Sequence, residues 1–121
     1  MSSDKIPVLS GHKYINLETY RKNGEAVRTP VWFVISDDQI FVLTSENAGK
    51  VKRIKNNSAI KIMPCGIRGE PKGEWIDGTA RIANESEMQN TIKLRYKKYG
   101  FRARIIGLLK RDNLTGIAIK I

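Results

Sequence analysis

The sequence predicts a mainly β fold with added α structure: an antiparallel barrel of six strands decorated by short helices, in the order βββ-α-ββ-αα-β. Two observations carry that reading. From Lys13 to Ala83, apolar and β-branched residues arrive in short runs separated by turn residues, and at Asn84 the period changes to that of a helix. No repeat, linker or low-complexity tract interrupts the 121 residues, so one domain over residues 1–121 is expected.

Lys13 to Tyr20 reads as the first strand. It ends at Arg21-Lys22-Asn23-Gly24, where Asn-Gly supplies the positive φ angles of a tight hairpin turn. Val27 to Ser36 follows as one strand, apolar on both alternating sets (Val27, Val31, Phe33 and Ile35; Trp32 and Val34), so cover on both faces is expected. Pro30 cannot donate to a ladder. It predicts a bulge, or an edge facing something other than a strand, such as a ligand. Asp37-Asp38 then turns the chain into Ile40 to Ser45.

Asn47 is placed to cap a short helix from Ala48 to about Lys55, in which Val51 and Ile54 face the core and Lys50, Lys52, Arg53 and Lys55 make one side basic. Ser58 to Cys65 is a strand, Gly66 to Gly73 a loop, and Glu74 to Ala83 a strand with Trp75 and Ile76 at its start. Asn84 and Glu87 have capping-box spacing, opening a helix that runs to Gly100 with Met88, Ile92, Tyr96 and Tyr99 at helical intervals. Phe101, Ile105, Leu108 and Leu109 define a second helical stretch. Leu114 to Ile121 reads as a last, alternating strand.

Composition removes several classes of function. The longest purely apolar run, Val31 to Ile35, is far shorter than the roughly 20 residues of a membrane span, and the start lacks an apolar signal region; a cytoplasmic protein is expected. Cys65 and His12 are alone of their kinds, so no intrachain disulfide forms, and structural zinc or a nucleophilic triad would need residues from another chain. Cys65 reads as a small buried residue. The 22 Lys and Arg against 12 Asp and Glu give a net charge of +10, which suits an anionic partner and also simple solubility.

Thr44 to Val51 follows a strand and opens a helix, as a phosphate loop does. It is not a P-loop, which needs Gly where Thr44 stands and Ser or Thr where Val51 stands. The free amides of a helix N-terminus, the hydroxyls of Thr44 and Ser45, and the charges of Lys50 and Arg53 still suit a phosphate, against the alternative of a solvated basic helix. A second basic region, Met88 to Arg111, lacks the interleaved exposed aromatics of single-strand binders, so nucleic acid is an unfavoured partner and a solvated or ligand-rimming face the favoured reading. Trp32 and Trp75 suit either stacking on an aromatic ligand or burial in a core or interface.

Three stretches, Arg28-Thr29-Pro30-Val31-Trp32-Phe33, Leu43-Thr44-Ser45 through Gly49-Lys50-Val51-Lys52-Arg53, and Trp75-Ile76-Asp77-Gly78-Thr79-Ala80-Arg81, make the sequence similar to the pyridoxamine 5'-phosphate oxidase-like split β-barrel family, in its flavin/deazaflavin-dependent oxidoreductase branch. The likeness spans almost the whole chain. It implies a homodimer binding FMN or coenzyme F420 in a groove at the subunit interface, with the ring edge along Pro30, Val31 and Trp32 and hydride passing to or from a small organic substrate. It also implies phosphate contacts from Thr44, Ser45 and Lys50, helped by Arg28 and Arg53, with Thr29 on the same strand and Trp75 approaching from the facing subunit. Some relatives carry a further basic residue where this chain has Ala48. The family transfers no catalytic side chain, and hydride chemistry belongs to the cofactor. The alternatives are a flavin or deazaflavin carrier or storage protein and, less favoured, a basic nucleic-acid-binding barrel.

Overall fold

The structure is a computed structural model that describes residues 2–99 and 114–121. A 3-10 helix, Ser2–Leu9, leads into β1 (Tyr14–Tyr20), β2 (Ala26–Trp32), β3 (Val34–Ser36) and β4 (Gln39–Ser45). Then come α1 (Gly49–Asn56), β5 (Ala59–Cys65), β6 (Ile76–Ile82), α2 (Glu85–Tyr99) and β7 (Leu114–Lys120). One sheet contains all seven strands in the order β2-β1-β5-β6-β7-β4-β3. Every neighbouring pair is antiparallel. The chain itself links the two ends of the sheet, because β2 passes through Phe33 into β3, and the sheet curls into a split barrel.

Alternation sorts the strand residues between two faces. Ile15 and Leu17 of β1, Ile40 and Val42 of β4, Ile60 and Ile62 of β5 and Ile117 and Ile119 of β7 point into one core, closed at an end by Val51 and Ile54 of α1. Leu9 of the 3-10 helix joins that core at 1% exposure, an element with no periodic signal in the sequence. A smaller cluster, Val34, Phe41 and Ala118, lies on the other side of the sheet against Leu94 and Tyr99 of α2. Cys65 is buried, and burial pushes its thiol pKa up.

The expected strand from Val27 to Ser36 is divided at Phe33, which makes seven strands of six. The side chain of Tyr99 explains the break. Its hydroxyl accepts the Phe33 amide at 3.0 Å and lies 2.8 Å from the Phe33 carbonyl and 2.5 Å from that of Lys13, either of which takes its proton. Lys98 Nζ donates to the Phe33 carbonyl at 3.0 Å. With its main-chain groups taken by α2, Phe33 has nothing left to offer a strand ladder. The expected double cover of this strand is also absent within one chain: Ala26, Arg28 and Pro30 are exposed, and β2 is an edge strand, as Pro30 predicted.

Turns and caps show the local chemistry. The β1–β2 hairpin forms, but only Gly24 takes a positive φ (89°); Asn23 instead accepts the Glu25 amide through Oδ1, in a loop closed by Arg21 N–H to Glu25 O. The positive pair is Asp37 and Asp38, which turn β3 into β4. Asn47 does not cap α1. The capping position is Ala48, without a side-chain bond, and the Asn47 amide goes to Ser45 Oγ. The expected Glu74–Ala83 strand starts at Ile76, leaving Trp75 just ahead of it. The capping box of α2 forms in both directions, Asn84 N–H to Glu87 Oε1 at 2.9 Å and Glu87 N–H to Asn84 Oδ1 at 2.8 Å. Tyr96 is exposed while Thr91 is buried, so the inward stripe of α2 is rotated from the expected one. The second helical stretch at Phe101 to Leu109 lies outside the described residues.

Glu87 also sets an acid sensitivity. Hydrogen bonds from Arg81 and the Asn84 amide, followed by the Arg81 charge, lower its pKa from 4.5 to about 2. A depressed carboxyl contributes stability above its unfolded pKa and loses it as pH falls toward the folded value. Glu87→Gln is therefore expected to flatten the pH dependence of the urea midpoint between about pH 4.5 and 2. Wild-type and variant profiles that stay parallel through that window would contradict the assignment.

Candidate functional site

The turn after β4 delivers α1 with its first amides open. Ser45 O accepts the Ala48 amide, and the first helical bond runs from Val51 N–H to Ala48 O, so the amides of Gly49 and Lys50 precede the helical ladder. No acidic residue occupies the first turn. Lys50 is half-buried there, and burial, then the neighbouring Arg53 charge, lowers its pKa. Burial and then the charge of Arg21 lower that of Arg53.

Arg53 is held in place. Its Nε donates to Thr19 Oγ1 at 2.6 Å, and Thr19 is 1% exposed at the end of β1. A Cβ on Gly49 would stand 2.6 Å from Arg53 Nη1, so the guanidinium folds back over the start of its own helix into space that glycine leaves open. Among the described residues neither Lys50 nor Arg53 has a carboxylate partner. Two cations and the positive end of a helix thus converge without a counter-charge.

A groove of about 360 Å³ opens on the other face of β1 and β2. In register across the strands, Asn16 lies between Pro30 and Met63, and Glu18 between Arg28 and Lys61. Arg28 Nε donates to Glu18 Oε1 at 2.7 Å, its guanidinium lies 5.0 Å from the Trp75 ring centroid, and Tyr20 Oη donates to Glu18 Oε2 at 2.6 Å. Burial raises the Glu18 carboxyl, but these hydrogen bonds and the Arg28 and Lys61 charges bring it below its usual value. Trp32, on the same face of β2, is stacked on Tyr99 at 4.3 Å with the planes 4° apart. Arg95 is 4.9 Å from the Trp32 ring, and its buried Nε has no hydrogen-bond partner among the described residues.

The sequence signature described as pyridoxamine 5'-phosphate oxidase matches residues 7–118. The chain belongs to this family. No curated protein matches it. Among solved structures, the chain is similar to HutZ, the haem storage protein of Vibrio cholerae (TM-score 0.73, 20% identity, covering 97% of this chain and 87% of that one). It is also similar to general stress protein 26 of Bacillus anthracis (0.70, 21%, 98% and 87%) and to an FAD-binding protein of Mesorhizobium loti (0.67, 14%, 100% and 87%). At these identities the likeness shows the fold.

Within this family member the ten candidate residues divide between two faces. Lys50 and Arg53 meet at α1, beside Thr19 on the core side of β1. Thr44 and Ser45 end β4 opposite Thr115 and Leu114, and both are half-buried. Thr29 and Val31 share the inner side of β2, with Val31 against the core. Arg28, Pro30 and Trp32 are on its outer side, and Arg28, Pro30 and Trp75 line the groove together within one chain. Arg28 is thereby committed to Glu18 and Trp75, not brought to Lys50.

Sequence reasoning missed Thr19, Asn16, Glu18 and Tyr99. Asn16 and Glu18 carried a usable signal, since polar residues at alternate strand positions face away from the core. Thr19 and Tyr99 carried none, because a threonine in a strand and a tyrosine in a helical stripe read as packing. No helix among the described residues is long and apolar enough to cross a membrane, and no three His, Cys, Asp or Glu side chains gather there as metal ligands.

Proposed function

We propose that this member of the pyridoxamine 5'-phosphate oxidase family is an oxidoreductase that binds FMN or coenzyme F420 at the interface of a homodimer and acts on a small organic substrate. The observation that supports it is the cation pair of Lys50 and Arg53 at the open start of α1, which suits a phosphate and has no acid partner among the described residues. Thr44 and Ser45 hydroxyls add donors at the end of β4, and the edge strand β2, with Pro30 in it, leaves main-chain groups for a planar ring. The half-covered outer side of β2 suits a second copy of the chain. A flavin or deazaflavin, when bound, supplies hydride transfer. The residues named here bind its phosphate, orient its ring edge and limit access of water.

A cofactor carrier or storage protein without turnover is the second reading, favoured by the likeness to a haem storage protein. Absorbance spectra of purified protein after addition of FMN, coenzyme F420 or haem separate these. The expected result is a perturbed flavin or deazaflavin spectrum at one equivalent per chain, with light scattering giving twice the 13.7 kDa of the chain. A concentration-independent mass of 13.7 kDa, with neither flavin nor deazaflavin bound, defeats the proposal. Micromolar binding of a nucleic-acid strand at physiological salt in their place would favour the basic barrel.

A further inference from the structure

We infer that Thr19 is a positioning residue for the bound phosphate: its buried hydroxyl holds the Arg53 guanidinium folded over the start of α1, so that a phosphate meets a cation already in place. The inference rests on the proposed binding of FMN or coenzyme F420 and names the residue that prepares that site.

The place of each partner follows from its element. Arg53 stands one helical turn after Gly49, and helical side chains lean toward the N-terminus, so a long side chain there reaches back across Gly49. Thr19 is near the end of β1, opposite Val27 in register and on the same face as Ile15 and Leu17, with its side chain 1% exposed. A buried hydroxyl needs a hydrogen-bond partner. Arg53 Nε supplies it at 2.6 Å, from 34 residues along the chain.

Which atom is spent decides what is left. With Nε on Thr19, the end of the guanidinium that carries Nη1 and Nη2 stays free, and this edge takes two oxygens of one phosphate. Nη1 lies 2.6 Å, Cζ 3.5 Å and Nη2 3.7 Å from the point that a Cβ on Gly49 would occupy, so the same edge is laid against the backbone where the helix opens. Gly49 is the second requirement. Its φ is not positive, so the glycine is used here for the space it leaves.

Like charges oppose this arrangement. Burial and then the Arg21 charge lower the pKa of Arg53, and burial and then the Arg53 charge lower that of Lys50. Without an anchor, Arg53 would turn toward water and away from both cations. The Thr19 bond offsets that tendency, and the ligand is spared the ordering of a long side chain, which is worth about three- to tenfold in affinity.

The test is titration of the full chain with FMN, coenzyme F420, riboflavin and inorganic phosphate at equal ionic strength. Thr19→Val keeps the shape and removes the acceptor. It is expected to weaken the phosphate-bearing cofactor and inorganic phosphate about three- to tenfold, to leave riboflavin, which has no phosphate, within about twofold, and to add nothing in an Arg53→Ala background. Thr19→Ser, which keeps the hydroxyl, should stay within about twofold of wild type, and Gly49→Ala should weaken binding as Thr19→Val does. A residue that only ties α1 to the sheet would weaken riboflavin equally and would act as strongly without Arg53. Either result overturns the inference, as does Thr19→Val or Gly49→Ala within about twofold of wild type, or Thr19→Ser as weak as Thr19→Val. If the cofactor binds and the variants break this pattern, the cofactor reading stands and the inference fails. If inorganic phosphate follows the pattern while neither cofactor binds, the inference stands and the cofactor reading fails. Binding of neither phosphate nor cofactor overturns both.

Discussion

Lys50→Ala is expected to weaken FMN or coenzyme F420 binding on the order of 10- to 100-fold, the worth of one charge-assisted hydrogen bond of roughly 1.5–3 kcal/mol. Lys50 is half-buried beside the open amides of α1, so its charge acts in a site that already favours an anion and is poorly screened. Arg53→Ala is expected to cost less, since Arg53 divides its donors between Thr19 and the site. Lys55 is exposed at the far end of the helix, and Lys55→Ala should change little. Cofactor titrations of the variants at equal ionic strength decide the matter: equal losses for Lys50 and Lys55 would mean that bulk charge, not a phosphate pocket, sets the affinity. The lowered pKa of Lys50 adds a direction, because its ammonium is lost at lower pH than an exposed lysine's and binding should decline earlier on the alkaline side.

Phe33→Ala should destabilise the fold by about 3–5 kcal/mol, and lower the thermal midpoint by on the order of 10 °C. The ring is 1% exposed in the main core, and Lys98 Nζ sits 3.5 Å from its centroid on the α2 side. Truncation leaves a cavity where β2 gives way to β3 and removes the surface against which Lys98 is packed. Denaturant midpoints measure the effect. A loss under about 1 kcal/mol would show that Phe33 is not part of the core.

What was legible before the fold was known is whatever depends on near neighbours. The Asn84–Glu87 cap, the edge position implied by Pro30, the burial of Val51 and Ile54, and the gathering of Lys50 with Arg53 all follow from spacings of a few residues within one element. The six-strand expectation failed at Phe33, because the partner that interrupts the ladder is Tyr99, 66 residues away. Tyr96 falls outside the inward stripe of α2 for the same kind of reason: helical spacing fits several stripes, and the sheet selects the one through Thr91 and Leu94.

The candidate site divides along the same line. The sequence by itself determined which residues carry charge and hydroxyls, that they follow a strand and begin a helix, and that Cys65 and His12 are alone of their kinds. Only the tertiary structure decided that Arg53 is fixed by Thr19, 34 residues earlier, that Arg28 is turned to Glu18 and Trp75 on the opposite face from Lys50, and that Asn16 ties a loop 53 residues away over a groove. The physical reason is that charge and local propensity are properties of the residue and its neighbours. The direction of a side chain on a strand is set by register, and register is fixed by the burial of the whole sheet at once.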